Sequence, residues 1–424
     1  MYSELAFESA EAIAERQQDL LTAQLHYALR HSPFYQKHFA GLPGTPENWA
    51  ANLSQLPFTT KNDLHQHSDA FRCVSHQDIV EYCTTSGTTG TPLAIVLTEH
   101  DLDRLATNEQ LSFTAAGVTS ADIVQLMLTL DKQFMAGMAY AMGLRKIGAG
   151  IIRVGPGAPA QQWESIQRFS PTVLVAVPSF VVKLLDYTRT HQLDISTSSV
   201  KKIVAIGEPL RTATGEYNAL AARILADWPV ELFSTYAATE MQTAFTECTA
   251  HQGNHLIPEL LIAEIVDDKG KSVEPGAVGE LVITHLGVTG MPLFRYRTGD
   301  MVAGYTGTCS CGRQSLRISS VVGRRNQLIK YKGTTLYPPA IIEAIHMVAA
   351  VSDFLIKVSR NELGIEQLDV FIVHHGDIDA TEAALRAAMQ HKLRVLPEIH
   401  FVSSRQLAEM RPSDTRKPVS VIFA

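Results

Sequence analysis

The sequence predicts an α/β protein. Mostly parallel sheets flanked by helices build a large N-terminal part, and a smaller α+β unit follows. Three observations predict this. From about residue 78 to 240, β-type runs alternate with helical stretches, the order that crossover units of a parallel sheet require. Residues 260–266 and 279–284 read as strands around the turn-rich Asp267-Asp268-Lys269-Gly270, which suggests an antiparallel subdomain. From about 327 onward, strand, helix, two strands, helix and strand follow at 328–331, 338–348, 353–359, 368–374, 379–393 and 398–402. That is a compact unit of roughly a hundred residues.

Residues 8–31 carry Ile13, Leu20, Leu21, Leu25, Ala28 and Leu29 at helical spacing, and Ser32-Pro33 ends the run. A β-prone stretch covers 78–83. Residues 123–130, 150–154, 173–177 and 202–206 are apolar or β-branched strands, with helical patterns at 159–169 and 180–191 between them. A length of 424 residues suggests two or three domains. The division expected is 1–325 and 326–424. Hydrophobic content of 46% with 19% charged residues is ordinary for a soluble globular protein. A net charge of −7 leaves no basic surplus for neutralising nucleic-acid phosphates. The apolar stretches, such as 173–182, are too short to span a bilayer. No basic segment followed by an apolar run opens the chain, so no signal peptide is expected. Five cysteines do not make a disulfide framework, and a reducing, cytoplasmic compartment is expected.

The run Thr84-Thr85-Ser86-Gly87-Thr88-Thr89-Gly90-Thr91-Pro92 packs hydroxyls and glycines into a loop after a β-prone run. Hydroxyls and unobstructed backbone N–H groups suit the wrapping of triphosphate oxygens, and glycine allows the close approach. No Gly-Lys-Ser/Thr follows, so this is not a Walker loop. By itself the run also fits a flexible polar loop.

Downstream stand Thr235-Tyr236-Ala237-Ala238-Thr239-Glu240, then Tyr296-Arg297-Thr298-Gly299-Asp300, then Gly323-Arg324 leading into Tyr331-Lys332-Gly333. In this order the segments resemble the adenylate-forming superfamily of acyl-CoA synthetases. Ser32-Pro33-Phe34-Tyr35, Leu56-Pro57-Phe58-Thr59-Thr60-Lys61 and Cys309-Ser310-Cys311-Gly312-Arg313 make the chain most similar to the phenylacetate-CoA ligase family. The resemblance runs from about residue 20 to the end. It implies a small barrel for the antiparallel part and mobility for the C-terminal unit.

It also implies a site. Thr85, Ser86, Gly87, Thr88, Thr89 and Gly90 would grip the phosphates of ATP. Glu240 would hold Mg²⁺, Thr239 would bond the α-phosphate and Tyr236 would lie near the adenine. Gly207-Glu208-Pro209, at the C-terminal end of the strand 202–206, would line the adenine face, in keeping with where open parallel sheets bind ligands. Asp300 would accept hydrogen bonds from the ribose hydroxyls, and Arg324 would reach ribose or phosphate. Lys417 in the tail is the counterpart of a late catalytic lysine, and Asn326 stands at the hinge between domains. Three positions depart from the pattern. Thr91 stands for a lysine, Ala237 for a glycine beside the substrate carboxylate, and Arg416 for the glycine before Lys417.

Cys248, Cys309 and Cys311, with His251 and His255 close after Cys248, could form a structural zinc set of three thiols and one imidazole. The Cys-x-Cys pair alone also fits packed, reduced thiols. The resemblance favours His255. Cys73 and Cys83 read as packing residues. Residues 134–143, apolar and rich in methionine, resemble an acyl-binding helix of aryl-CoA ligases. The expected activity is an AMP-forming ligation of a small-molecule carboxylic acid, aromatic or arylacetic, to coenzyme A. The other readings are an adenylating enzyme with a carrier-protein thiol, amine or water as acceptor, and a non-catalytic nucleotide-binding relative. No nucleic acid or membrane is expected as a partner. A homodimer is left open.

Overall fold

The structure is a computed structural model that describes residues 4–85, 92–360, 366–412 and 419–423. Its first long element is the helix Ala10–His31, whose N-cap Ser9 accepts a hydrogen bond from the Ala12 N–H at 3.2 Å. Ser32 ends this helix and caps the next, Pro33–His38, by accepting from Tyr35 N–H. That places Phe34 and Tyr35 against Phe71 and Phe294 in a buried aromatic cluster.

The parallel strands expected from the alternating pattern form one sheet. Its order is Gly150–Arg153, Ile123–Leu126, Val173–Ala176, Lys202–Ala205, Glu231–Ala238. The strand read over 123–130 is shorter than expected and stops at Leu126. On Val173–Ala176, Leu174 and Ala176 face one core and Val173 and Val175 another, the period-two alternation of a sheet buried on both sides. Helices Pro159–Phe169, Pro178–Thr190 and Ala219–Asp227 cover the first face. The second is covered by Glu99–Ala115 and Met135–Ile147. These last two cross closely, because a side chain at Gly143 would collide with Glu109.

Past Glu231–Ala238 the same sheet turns antiparallel. Thr243–Glu247, Asn254–His255, Arg317–Ile318, Tyr296–Tyr305, Val278–His285 and Leu261–Val266 follow in that order. The part expected as a small antiparallel barrel is thus hydrogen-bonded edge to edge with the parallel part, and Leu261–Val266 pairs with Val278–His285 as read from the sequence. A separate hairpin, Glu81–Thr84 with Ala94–Leu97, brackets the hydroxyl-rich loop.

The C-terminal unit has its own core. Ile329, Tyr331, Leu336, Ile341, Ile345, Ile356, Val370, Leu385 and Met389 cluster together, with every member from residue 329 onward. Its four-stranded sheet runs Glu398–Phe401, Glu366–His374, Val351–Arg360, Val421–Phe423. The helix Ser404–Met410 and the strand Val421–Phe423 were not read from the sequence. At the junction, the Glu343 carboxylate accepts from the Ala219 N–H at 3.0 Å and so caps Ala219–Asp227.

Asp101, 1% exposed, anchors the start of Glu99–Ala115. It accepts from the Thr98 N–H and hydroxyl, and from the backbone N–H groups of Thr289 and Gly290 at 2.8 Å. Asp101→Ala would leave these donors buried without an acceptor, at a cost of about 3 kcal/mol. Denaturant unfolding of the variant should show that loss, and an unchanged midpoint would refute the anchoring role.

Candidate functional site

The strand Glu231–Ala238 ends in a tight 3₁₀ turn, Thr239–Met241, closed by Gln242 at φ +50°. Thr239 and Glu240 therefore sit at the C-terminal edge of the parallel sheet. There Gly207, at φ +74°, also leaves the strand Lys202–Ala205. Glu208 caps the helix Pro178–Thr190, accepting from the Ser179 N–H at 2.9 Å and hydroxyl at 2.8 Å. The Pro209 carbonyl accepts from Asn218 Nδ2. These bonds fix the backbone of 207–209 beside the turn at 239–241.

Three further predicted residues meet at one carboxylate. Asp300 is buried; its Oδ2 accepts from the Tyr236 hydroxyl at 2.7 Å and its Oδ1 from Arg324 Nε at 3.1 Å. Asp300 also pairs with Arg324 in the strand ladder. Burial, and then the charge of Asp300, hold the Tyr236 phenol protonated well above its ordinary range. Burial raises Tyr296 in the same way, with the Glu240 charge adding to it.

Sequence reasoning missed the carboxylate next to this cluster. Glu280, 4% exposed, accepts from Arg297 Nε and Nη2 at 2.9 and 2.6 Å and from Arg325 Nη1 at 2.9 Å. It also takes the Gly299 N–H at 3.2 Å, which fixes the backbone entering Asp300. Arg297 was its only sequence signal. Asn326 lies exposed in the turn Arg325–Gln327. Lys332 and Gly333, at φ +46° and +78°, make the hairpin turn between Ile329–Tyr331 and Thr334–Leu336.

Of the hydroxyl-rich loop, Thr85 is described. Its hydroxyl accepts from the Leu93 N–H and its N–H donates to the Leu93 carbonyl, both at 3.0 Å, so it closes the neck of the loop. Ser86, Gly87, Thr88, Thr89, Gly90 and Thr91 lie outside the described residues, as do Arg416 and Lys417.

The cysteine reading gains a geometry. One ligand atom each from Cys248, His255, Cys309 and Cys311 fall within 4.8 Å of one another. The Cys248 and Cys309 sulfurs are 3.7 Å apart, and Cys311 Sγ is 3.6 Å from His255 Nε2. A zinc tetrahedron with metal–sulfur bonds of about 2.3 Å has edges near ~3.8 Å, so the donor set fits. Burial, then Arg313 and Arg317, lower His255 to about 3, which keeps its ring neutral, and Ser315 Oγ lies 3.4 Å from Nδ1. His251 takes no part; it turns to Glu231 and Glu247. Cys73 and Cys83 are buried thiols, as expected.

The AMP-binding enzyme family matches residues 10–291, so the chain belongs to that family. Its similarity is to phenylacetate-coenzyme A ligases. It is 25% identical to that of Pseudomonas putida over 90% of this chain and 84% of the relative. It is 26% identical to that of Thermus thermophilus over 92% and 88%. Among solved structures, 2-hydroxyisobutyryl-CoA ligase in its postadenylation state matches with a TM-score of 0.83 at 20% identity, covering 99% of this chain and 91% of that one. The same ligase in its thioesterification state matches with 0.70 at 22% identity, covering 99% and 91%. Among the described residues no helix is long and apolar enough to cross a membrane.

His285 lies under the turn carrying Glu240. It is fully buried and accepts from the Leu293 N–H through Nδ1. Burial, then the Arg104 charge, lower it from 6.5 to about 3. The unfolded chain therefore binds a proton that the folded one refuses between these values, and stability rises with pH across that window. His285→Asn keeps the acceptor but cannot titrate. Unfolding midpoints from pH 7 to 5 should fall less steeply in the variant, by up to about 1.4 kcal/mol per pH unit. Parallel slopes would show that His285 is not the group.

Proposed function

We propose that the protein is an AMP-forming carboxylic acid:CoA ligase acting on an aromatic or arylacetic acid. The observation that carries this is the convergence of Tyr236, Asp300 and Arg324 beside the Thr239-Glu240 turn, in a chain of the AMP-binding family. The acid attacks the α-phosphorus of ATP, forming an acyl-adenylate and releasing pyrophosphate. The thiol of coenzyme A then attacks the acyl carbon and releases AMP. Thr239 bonds the α-phosphate. Asp300 takes the ribose hydroxyls while Tyr236 and Arg324 orient it, and residues 207–209 form the wall against the base. Thr85 to Gly90 grip the phosphates, and Lys417 supplies positive charge during the first step. Glu240 would hold Mg²⁺, which when bound spreads the charge of the phosphates. The chain divides at 325/326, and the C-terminal domain rotates between the two steps. The protein works in the cytoplasm.

Pyrophosphate release that depends on an aryl acid, and thioester formation that depends on coenzyme A, test the reading. Release without any thioester would favour another acceptor. ATP binding without release would leave a non-catalytic relative. Glu240→Gln should slow release by several orders of magnitude with the fold intact; near-normal release would remove Glu240 from the site.

A structural zinc held by Cys248, His255, Cys309 and Cys311 belongs to the same reading. It would tie the hairpin around Thr243–Glu247 to the loop after Tyr296–Tyr305. Protein prepared without chelator should contain about one zinc per chain. Cys309→Ser with Cys311→Ser should lower the melting temperature more than it lowers activity, because a closed site does no chemistry. A metal analysis free of zinc would refute the site.

A further inference from the structure

Glu109 is the most unusual residue of the second core. It lies mid-helix in Glu99–Ala115, 5% exposed, beside Phe113, Tyr140 and Val204. Its Oε1 accepts from Asn108 Nδ2 at 2.9 Å, and Asn108 Oδ1 in turn accepts from the Ala244 N–H at 3.2 Å. Together with Ser112, Tyr140, Ile206, Thr235 and Thr246 it borders a small cavity. The Ser112 and Thr246 hydroxyls, on residues 5% and 3% exposed, have no hydrogen-bond partner among the described residues. They also border a second small cavity toward His255. A buried carboxyl and two orphan hydroxyls around one space are costly unless something polar satisfies them.

The strand register relates this space to the reaction site. Thr235 faces Thr246, and Ala237 faces Ala244 one same-face pair further along. Ala237 is the residue beside the acid's carboxylate in the ligase reading, on which this inference rests. The two pairs are about 7 Å apart along the strand, roughly the reach of one aromatic ring and a further atom. The helix Met135–Ile147, read as the acyl-binding helix, supplies Tyr140 to the same space. The cavity has room for roughly one water-sized group, enough for a substituent but not for the ring itself.

We propose that the acid carries a hydroxyl or amino group at the end of its ring remote from the carboxylate, and that Glu109, Ser112 and Thr246 receive it. Burial raises Glu109 to about 8, so near neutrality its carboxyl can both donate and accept. That suits a group that is itself donor and acceptor. An unsubstituted ring would leave the Ser112 and Thr246 hydroxyls unanswered, and a site built to hydrogen-bond a substrate discriminates strongly on that ground.

The test compares kcat/KM for pyrophosphate release with phenylacetate, 4-hydroxyphenylacetate and 4-aminophenylacetate, and with the matching benzoates, in the wild-type full chain. The substituted acid should be preferred about tenfold or more. Glu109→Val should erase or reverse the preference. Thr246→Val, which keeps shape and removes one hydroxyl, should reduce it. Equal or better use of the unsubstituted acids by the wild type would overturn the proposal, and the cavity would then hold only water. An unchanged preference in both folded variants would also overturn it. No release from any acid, with ATP binding retained, would remove the ligase reading and this inference with it.

Discussion

Strand Glu231–Ala238 pairs in parallel with Lys202–Ala205 on one side and antiparallel with Thr243–Glu247 on the other. A parallel neighbour needs a long crossover, whereas an antiparallel one needs only a tight reversal. The chain therefore has to turn back within a few residues of Ala238, and it does so at the C-terminal edge of the parallel sheet. Thr239 and Glu240 owe their position to this reversal. So does the alignment of Ala237 with Ala244 and of Thr235 with Thr246 behind it. The junction is locked by Glu247, which is wholly buried, accepts from the Ser234 N–H at 2.8 Å and pairs with Arg211. A buried ion pair is a poor source of net stability, but breaking one is expensive, so the register has little freedom to slip.

The same economy recurs where segments distant in sequence must meet. Arg295 joins Glu264 at 2.9 Å and the carbonyls of Ser54 and Leu56, tying the N-terminal segment to the antiparallel strands. Arg104 donates to the carbonyls of Leu286, Gln242 and Leu260. Glu280 gathers Arg297 and Arg325 on the flank of Asp300. Asp300 is thus held by its own partners and by a second carboxylate that fixes its backbone. Preorganisation of this kind means that a group binding at Asp300 would not have to order a loose side chain.

How much of this was legible depended on whether a residue's meaning is local. The helix Pro159–Phe169 has the bounds the pattern indicated, because its apolar spacing and N-terminal proline are local signals. The parallel strands were legible as apolar runs, and the Thr239-Glu240 and Asp300 segments as motifs. The helix Glu99–Ala115 was not read. It buries Asp101, Arg104, Asn108 and Glu109, so its inward face looks polar and hides the apolar stripe on which such a reading depends. Glu109 and Glu280 were invisible for the same reason, since a buried carboxylate acquires its role only from partners that tertiary structure supplies. For the cysteines the spacing alone left two histidines beside Cys248 and the resemblance favoured His255; the pairing of Asn254–His255 with Arg317–Ile318 is what brings His255 next to Cys311.

The contact between the C-terminal unit and the rest has a different character. Glu343 caps Ala219–Asp227, and Tyr337 packs against the backbone at Gly323, where a side chain would collide with it. A cap of this sort contributes about 1 kcal/mol. Meanwhile the core from Ile329 onward is complete without the larger unit. The C-terminal unit is thus held together by its own apolar core and meets the larger unit through a helix cap and a ring packed on backbone. The cluster around Asp300 lies on the larger unit, with its carboxylate held by Tyr236 and Arg324 and its incoming backbone held by Glu280. The two units therefore draw their order from separate sources, an apolar core from Ile329 onward in one and carboxylates held across the strand ladder in the other.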